Sequence, residues 1–301
     1  MAGRPPVECL IARTGGDDPS EAAAAFDSVS RSVTLVCGGF RRPSAQLIAA
    51  ASRWSGVPAL LPAVDEPLAT RLSPRAWAIG PAAEVRAKRL AEAMTLGASD
   101  RVATLTSSAA DTAFAAGFVE ACLRSGATIA TRASYAPGNV SFAADVRALV
   151  SQRVTVLFFD GDAAEAAALL RQLTRDRVSL RICGGEGLDP ARHHRESRVL
   201  LEGVRYVPMD WSLSPSAQEA LDRDLTGRGA GPAGPLHVRG WLAGRVAGAA
   251  LATGVYTPAE LAAAITRLSP EAGSSLRVLG VQTEGAELPV YSVTGGRATR
   301  Q

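Results

Sequence analysis

An α/β fold in two lobes, each a parallel sheet flanked by helices, is what this sequence predicts, and three observations carry the prediction. Apolar strand-like runs alternate with amphipathic helical stretches, the pattern of strands joined by crossover helices. At 301 residues with 47% hydrophobic content, the chain is longer than one core usually organises. Nowhere do about 18 apolar residues run together, so the apolar content builds cores rather than a membrane span.

Val7–Ala12 reads as the first strand. Asp18-Pro-Ser-Glu21 then forms a capping box with Pro at the first helical position, opening a helix through Ala25 and Phe26. Val33–Cys37 is a strand, 44–52 a helix and 58–61 a strand. A helix over 82–96 follows Gly80-Pro81 and ends at Gly97, the expected C-cap. Arg101–Leu105 is a strand, and the next helix places Phe114, Phe118, Ala121 and Cys122 on one core-facing side before stopping at Gly126. Thr128–Thr131, Val154–Phe159 and Leu180–Cys183 supply further strands, with helices at 141–151 and 163–174. Gly227-Arg-Gly-Ala-Gly-Pro-Ala-Gly-Pro235 is a loop, because no strand precedes it to make its glycines a dinucleotide fingerprint. Thr257-Pro-Ala-Glu260 caps the last major helix, and 276–282 with 290–293 reads as a terminal hairpin.

The net charge is +3, from 32 basic and 29 acidic residues interspersed along the chain, so no electrostatic footprint for nucleic acid stands out. The opening Met-Ala-Gly-Arg-Pro-Pro has neither an apolar export segment nor a cleavage site. Cys9, Cys37, Cys122 and Cys183 lack metal-ligand spacing and read as buried small hydrophobes, with a Cys9–Cys37 disulfide open if their strands are neighbours. His193 and His194 fall in a polar stretch and are expected at the surface, while His237 is packed or solvated. There is no Gly-x-Ser-x-Gly elbow, no Gly-Lys-Ser/Thr phosphate loop and no Cys/His metal set, so neither an enzyme nor a cofactor is expected.

In open parallel sheets, ligands bind outside the carboxyl ends of the strands, where helix N-termini present free N–H groups. Here that rule selects Gly39–Ser44, Val64–Glu66, Thr106–Asp111, Asp160–Asp162 and Gly185–Gly187. Ser134-Tyr-Ala-Pro-Gly-Asn-Val-Ser-Phe142, followed by Val154-Thr-Val-Leu-Phe-Phe159, resembles the middle of the type 1 periplasmic binding proteins, especially the branched-chain amino acid and amide receptors of ABC transporters. Val33–Phe40, Gly56–Pro62, Ala76–Gly80, Arg101–Leu105, Cys183–Pro190 and Glu202–Pro208 are similar to that family's successive strand ends, in its order.

The resemblance implies a two-lobed type 1 periplasmic-binding fold, with 1–79 and 212–275 as the first lobe and 80–211 and 276–301 as the second. It implies the solute receptor of an ABC-type importer, capturing a small polar ligand between the lobes by hinge closure, with permease subunits as partners and no covalent chemistry. On the first lobe the family's hydroxyl residues correspond to about Arg42–Ser44 and about Asp65; only Ser44 keeps that chemistry, and Asp65 would repel a carboxylate unless Arg41 or Arg42 compensates it. Arg41 and Arg42 read equally as solvated charges, and Asp65 as a helix cap. On the second lobe Glu186 matches the acidic residue that pairs with a ligand ammonium, against the alternative of a turn-exposed Glu. Thr106 and Ser107 line the strand end, and Asp111 and Asp162 stand where relatives carry covering aromatics. A pocket holding Asp65, Asp111, Asp162 and Glu186 is acidic, favouring a cationic or polyhydroxyl ligand, or binds nothing.

Relatives begin with a strand and helix that precede the segment matching Val7–Arg13. The first lobe's sheet is therefore expected either to lack its central strand or to pair Val7–Ala12 directly with Val33–Cys37. Such a receptor works in the periplasm or outside the cell, from a precursor with an upstream signal; a cytoplasmic location follows if the given start is real. Two other functions fit the same fold: a cytoplasmic ligand-sensing regulator, and an interaction module resembling the activators of penicillin-binding proteins, with a degenerate pocket.

Overall fold

The computed structural model describes residues 8–12, 19–39, 42–62, 71–108, 110, 112–208, 212–268 and 286–301. The chain divides into two compact units, Met1–Ala82 with Asp210–Glu287, and Ala83–Met209 with Leu288–Gln301.

The first unit holds α1 (Pro19–Val29), β1 (Val36–Cys37), α2 (Arg42–Ser55), β2 (Ala59–Leu61) and β3 (Ala76–Ala78). The three strands form a parallel sheet in the order β1-β2-β3, with Leu60 opposite Trp77. Alternation along the strands sends side chains to opposite faces. Ala59, Leu61, Ala76 and Ala78 pack with Ala22 and Phe26 of α1 and Ala45, Ile48 and Ala49 of α2. Leu60, Trp77 and Ile79 pack on the other face with residues of two later helices, among them Leu242, Val246 and Ile265.

Over its described residues, 8–12, the strand predicted at Val7–Ala12 does not form. Residues 8–12 have no regular structure, Leu10 and Ile11 are 48% and 86% exposed, and among the described residues β1 pairs only with β2. Strand-forming side chains cannot order a segment whose backbone has no partner. The direct pairing of this segment with β1 is therefore absent.

The second unit holds α3 (Ala83–Met94), β4 (Arg101–Ser107), α4 (Thr112–Arg124), β5 (Thr128–Tyr135), α5 (Ala143–Ser151), β6 (Val156–Asp160), α6 (Ala163–Arg175), β7 (Arg181–Gly184) and β8 (Arg205–Tyr206). The chain then enters the first unit through β9 (Ser212–Leu213), α7 (Pro215–Gly227), α8 (Pro235–Leu251), α9 (Pro258–Leu268) and β10 (Ala286–Glu287), and ends in the second with β11 (Tyr291–Thr294) and β12 (Arg297–Arg300). The large sheet has the order β12-β11-β8-β7-β6-β4-β5, parallel from β8 to β5. On one face Leu105, Leu157 and Phe159 pack with Val146 of α5 and Leu169 and Leu173 of α6. On the other, Phe158 stacks on Phe118 at 4.7 Å and meets the edge of Phe114 at 5.0 Å, as the apolar face of α4 predicts.

Several local readings are corrected. The helix after Gly80-Pro81 ends at Met94, and Thr95, with φ 51°, takes the left-handed position expected of Gly97. The terminal hairpin joins β11 to β12 through Gly295-Gly296, both at positive φ, because a two-residue Gly turn matches strand twist; 276–282 lies outside the described residues. All four cysteines are free; Cys122 and Cys183 are buried as expected, but Cys9 and Cys37 are exposed, Cys37 because it ends a two-residue edge strand. The Thr257 cap forms as read, with Thr257 Oγ1 donating to Glu260 Oε2 at 2.7 Å. The Asp18 cap lies outside the described residues.

Asp100 locks the base of the second unit. It is 9% exposed, accepts from Gly97 N at 3.0 Å and Thr155 Oγ1 at 3.3 Å, and pairs with Arg181. Burial raises its carboxyl affinity for protons, but Arg181, Gly97 and Thr155 together pull it below the usual carboxylate range. Arg181 and Arg205 also donate to the Met94 and Ala93 carbonyls, satisfying the C-terminus of α3.

Candidate functional site

The carboxyl ends of β4, β6 and β7 converge in the second unit. Thr106 stands opposite Asp160 in the β4–β6 register, half-buried, and Ser107 at the end of β4 is 7% exposed. The last residue of β7, Gly184, is followed by the loop Gly185-Glu186-Gly187, and these glycines are required by packing. A Cβ on Gly184 would stand 1.8 Å from the Phe159 carbonyl oxygen, and one on Gly187 2.0 Å from that of Gly161. This close approach seats the loop directly on the end of β6.

From there the loop is fastened by polar contacts. Glu186 opens a short 3-10 turn, is half-buried, and pairs with Arg192 Nη2 at 2.8 Å. Asp189 accepts from Ala191 N at 2.9 Å, capping the turn Pro190–Arg192. Burial, then Asp189, pushes the Tyr206 phenol well above its ordinary range. His193 is buried, correcting the expectation that it is exposed: its Nε2 donates to the Gly187 carbonyl at 2.8 Å, which a main-chain acceptor can only receive. His194 is exposed, as predicted, and His237 Nδ1 accepts from Gly234 N at 3.0 Å at the start of α8.

The loop after β6 is built around a buried carboxylate that sequence reasoning missed. Asp162 is the N-cap of α6: its Oδ1 accepts from Glu165 N at 2.8 Å, and Glu165 Oε2 accepts from Asp162 N at 2.9 Å. Glu165, 3% exposed, also accepts from Tyr135 Oη at 2.9 Å and Gly138 N at 2.7 Å, so it binds the Tyr-Ala-Pro-Gly turn to α6. Burial and then Glu165 hold the Tyr135 phenol well above its usual range. The spacing Asp162-Ala-Ala-Glu165 is itself the signal, a capping box read at two other helices but not here.

Ser44 lies half-buried in the first turn of α2, and Arg42 is that helix's first residue. Arg41, Asp65 and Asp111 lie outside the described residues. Of the four acids expected to make the site acidic, the two described ones already carry partners, Asp162 the helix start and Glu186 an arginine. Arg86 was also missed: it is buried, lies 4.1 Å over the Phe114 ring and donates to the Pro208 carbonyl at 3.2 Å. Among the described residues no three His, Cys, Asp or Glu groups are placed to hold a metal, and no helix is long and apolar enough to cross a membrane.

Parallel sheets flanked by helices in two units define the class as a two-lobed α/β protein. The chain belongs to the periplasmic binding protein family, whose model matches residues 1–282. No curated protein matches it. Among solved structures it is similar to the leucine-binding protein LivK of Thermotoga maritima, with 19% identity over 98% of this chain and 86% of that one, and a TM-score of 0.71. It is also similar to a solute-binding protein of R. palustris in complex with benzoate, at 16% identity over 94% and 81% and a TM-score of 0.67. A third, LivJ of Streptococcus pneumoniae in complex with isoleucine, shares 15% identity over 94% and 85%, with a TM-score of 0.65. At these identities the likeness is one of fold.

Proposed function

We propose that the chain is the solute-binding receptor of an ABC-type importer, capturing a small polar ligand such as an amino acid, an amide or a similar compound without covalent chemistry. Membership of the periplasmic binding protein family supports this, as do relatives of the same fold that bind leucine, isoleucine or benzoate. Its partners are then permease subunits, and its place of work the periplasm or the cell exterior. The ligand-binding residues in this reading are Arg41, Arg42, Ser44 and Asp65 of the first unit and Thr106, Ser107, Asp111, Asp162 and Glu186 of the second, with Asp162 acting through the fixed start of α6.

The observation that carries the reading is the loop after β7, seated by glycine packing, fastened by Asp189 and His193, and holding Glu186 half-buried at a strand end where α/β sheets bind ligands. Small molecules released on denaturation, identified by mass spectrometry, name the ligand. A charged hydrogen-bonding group in such a site contributes about 1.5–3 kcal/mol, so Glu186→Gln is expected to weaken binding by about tenfold or more in calorimetry. Equal affinity in the variant removes Glu186 from the site.

A further inference from the structure

The carboxylates at the strand ends of the second unit are largely engaged. Asp162 caps α6, Glu165 accepts three hydrogen bonds, Asp189 caps its turn, and Glu186 is paired. Two donor groups are left over. Ser107 is 7% exposed, yet among the described residues its hydroxyl has no hydrogen-bond partner, and a buried polar group rarely stays unsatisfied without a purpose. Arg192 makes one ion-pair contact, to Glu186, out of the five N–H donors a guanidinium carries, and its side chain is 51% exposed against 24% for Glu186. The surplus here is of donors.

We propose that Arg192, with Ser107, meets the ligand, so that the group bound at this end is an oxygen acceptor, a carboxylate or amide carbonyl, rather than an ammonium; Glu186 serves to hold the guanidinium. The inference rests on the site given under Proposed function and extends it to the ligand's chemical class. An ammonium could reach Glu186 only by displacing Arg192. That residue is fixed by its own backbone, whose N–H donates to the Asp189 carbonyl at 3.0 Å in a capped turn. A tethered cation acts at an effective concentration of about millimolar or more, which a ligand at micromolar levels does not outcompete on charge alone. The guanidinium fork can give one edge to Glu186 and another to a ligand oxygen, the planar geometry carboxylates favour.

Calorimetry on the full chain with three probes of one branched skeleton tests this: L-leucine, isocaproate, which lacks the ammonium, and isoamylamine, which lacks the carboxylate. Isocaproate is expected to bind at least as tightly as leucine, and isoamylamine not at all. Arg192→Gln should weaken isocaproate by about tenfold or more while thermal unfolding stays cooperative, and Ser107→Ala by several-fold. Should Arg192→Gln fail to fold, Arg192→Lys, which keeps the charge without the fork, is expected to show a smaller loss in the same direction. Tighter binding of isoamylamine than of isocaproate, or unchanged or improved affinity in the Arg192 variants, overturns the inference and returns Glu186 to direct contact, leaving the receptor reading intact. A wild-type chain that binds none of the probes and releases no small molecule on denaturation removes the receptor reading, and this inference with it.

Discussion

In the first unit the sheet described has strands of two or three residues, β1 to β3, held between α1 and α2 on one face and α8 and α9 on the other. In the second, β4, β5, β6 and β7 have seven, eight, five and four residues, and aromatic side chains fill both faces. The units thus solve one packing problem with different means. Helix burial against alternating side chains carries the first, where Leu60 and Trp77 point one way and Ala59 and Ala76 the other. Long ladders and a polar frame of Asp100, Glu165 and their partners carry the second. The unit with the continuous ladder is also the one whose described strand-end loops are fastened by close glycine packing and polar contacts.

The comparison is sharpened most by removing the aromatic centre of the second unit. Phe158→Ala deletes a fully buried ring stacked on Phe118, and a loss of about 3–5 kcal/mol is expected in denaturant unfolding. A loss below about 1 kcal/mol would show that this core does not dominate.

The polar frame comes next. Asp100→Asn removes the partner of Arg181, and a cost of about 1–3 kcal/mol is expected at neutral pH. Because the folded carboxyl is held below its unfolded value, its contribution is present above the unfolded pKa near 4 and is lost as pH falls through the lower folded value. The wild-type advantage over Asp100→Asn should therefore shrink on acidification below about pH 4. An advantage that stays constant down to about pH 2 contradicts the assignment.

The smallest effect belongs to the first unit. Ile11→Ser, at a position 86% exposed and outside any strand, is expected to change stability by no more than about 0.5 kcal/mol. A loss above about 1 kcal/mol, or slow amide exchange at 8–12, would mean that this segment is paired in solution and that the two sheets are more alike than described.

Legibility followed the same division. Helices α4 and α6, strands β4 and β6 and the Thr257 cap were readable because periodicity, apolar runs and capping spacing are local signals. The strand expected at Val7–Ala12 shows the limit, since a strand exists only with a neighbour and the neighbour is not written in the segment. At the site, the strand-end rule and the family resemblance marked the Gly-Gly-Glu-Gly loop, but neither indicated what each side chain does there. Glu186 read as a free acid because Arg192, six residues on, folds back over two short turns to meet it. His193 read as solvated because its burial depends on reaching the Gly187 carbonyl.

The sequence by itself determined the alternation of strands and helices, and with it an α/β protein of two cores, because side-chain periodicity and turn chemistry act between residues close along the chain. Tertiary structure alone decided which glycines must stay glycine, since a Cβ on Gly184 would stand 1.8 Å from the Phe159 carbonyl oxygen, and which acids remain available, by pairing Glu186 with Arg192 and burying Glu165 beside Tyr135. Those outcomes depend on distances between segments that meet only when the sheet is assembled, and a binding site is made of such distances.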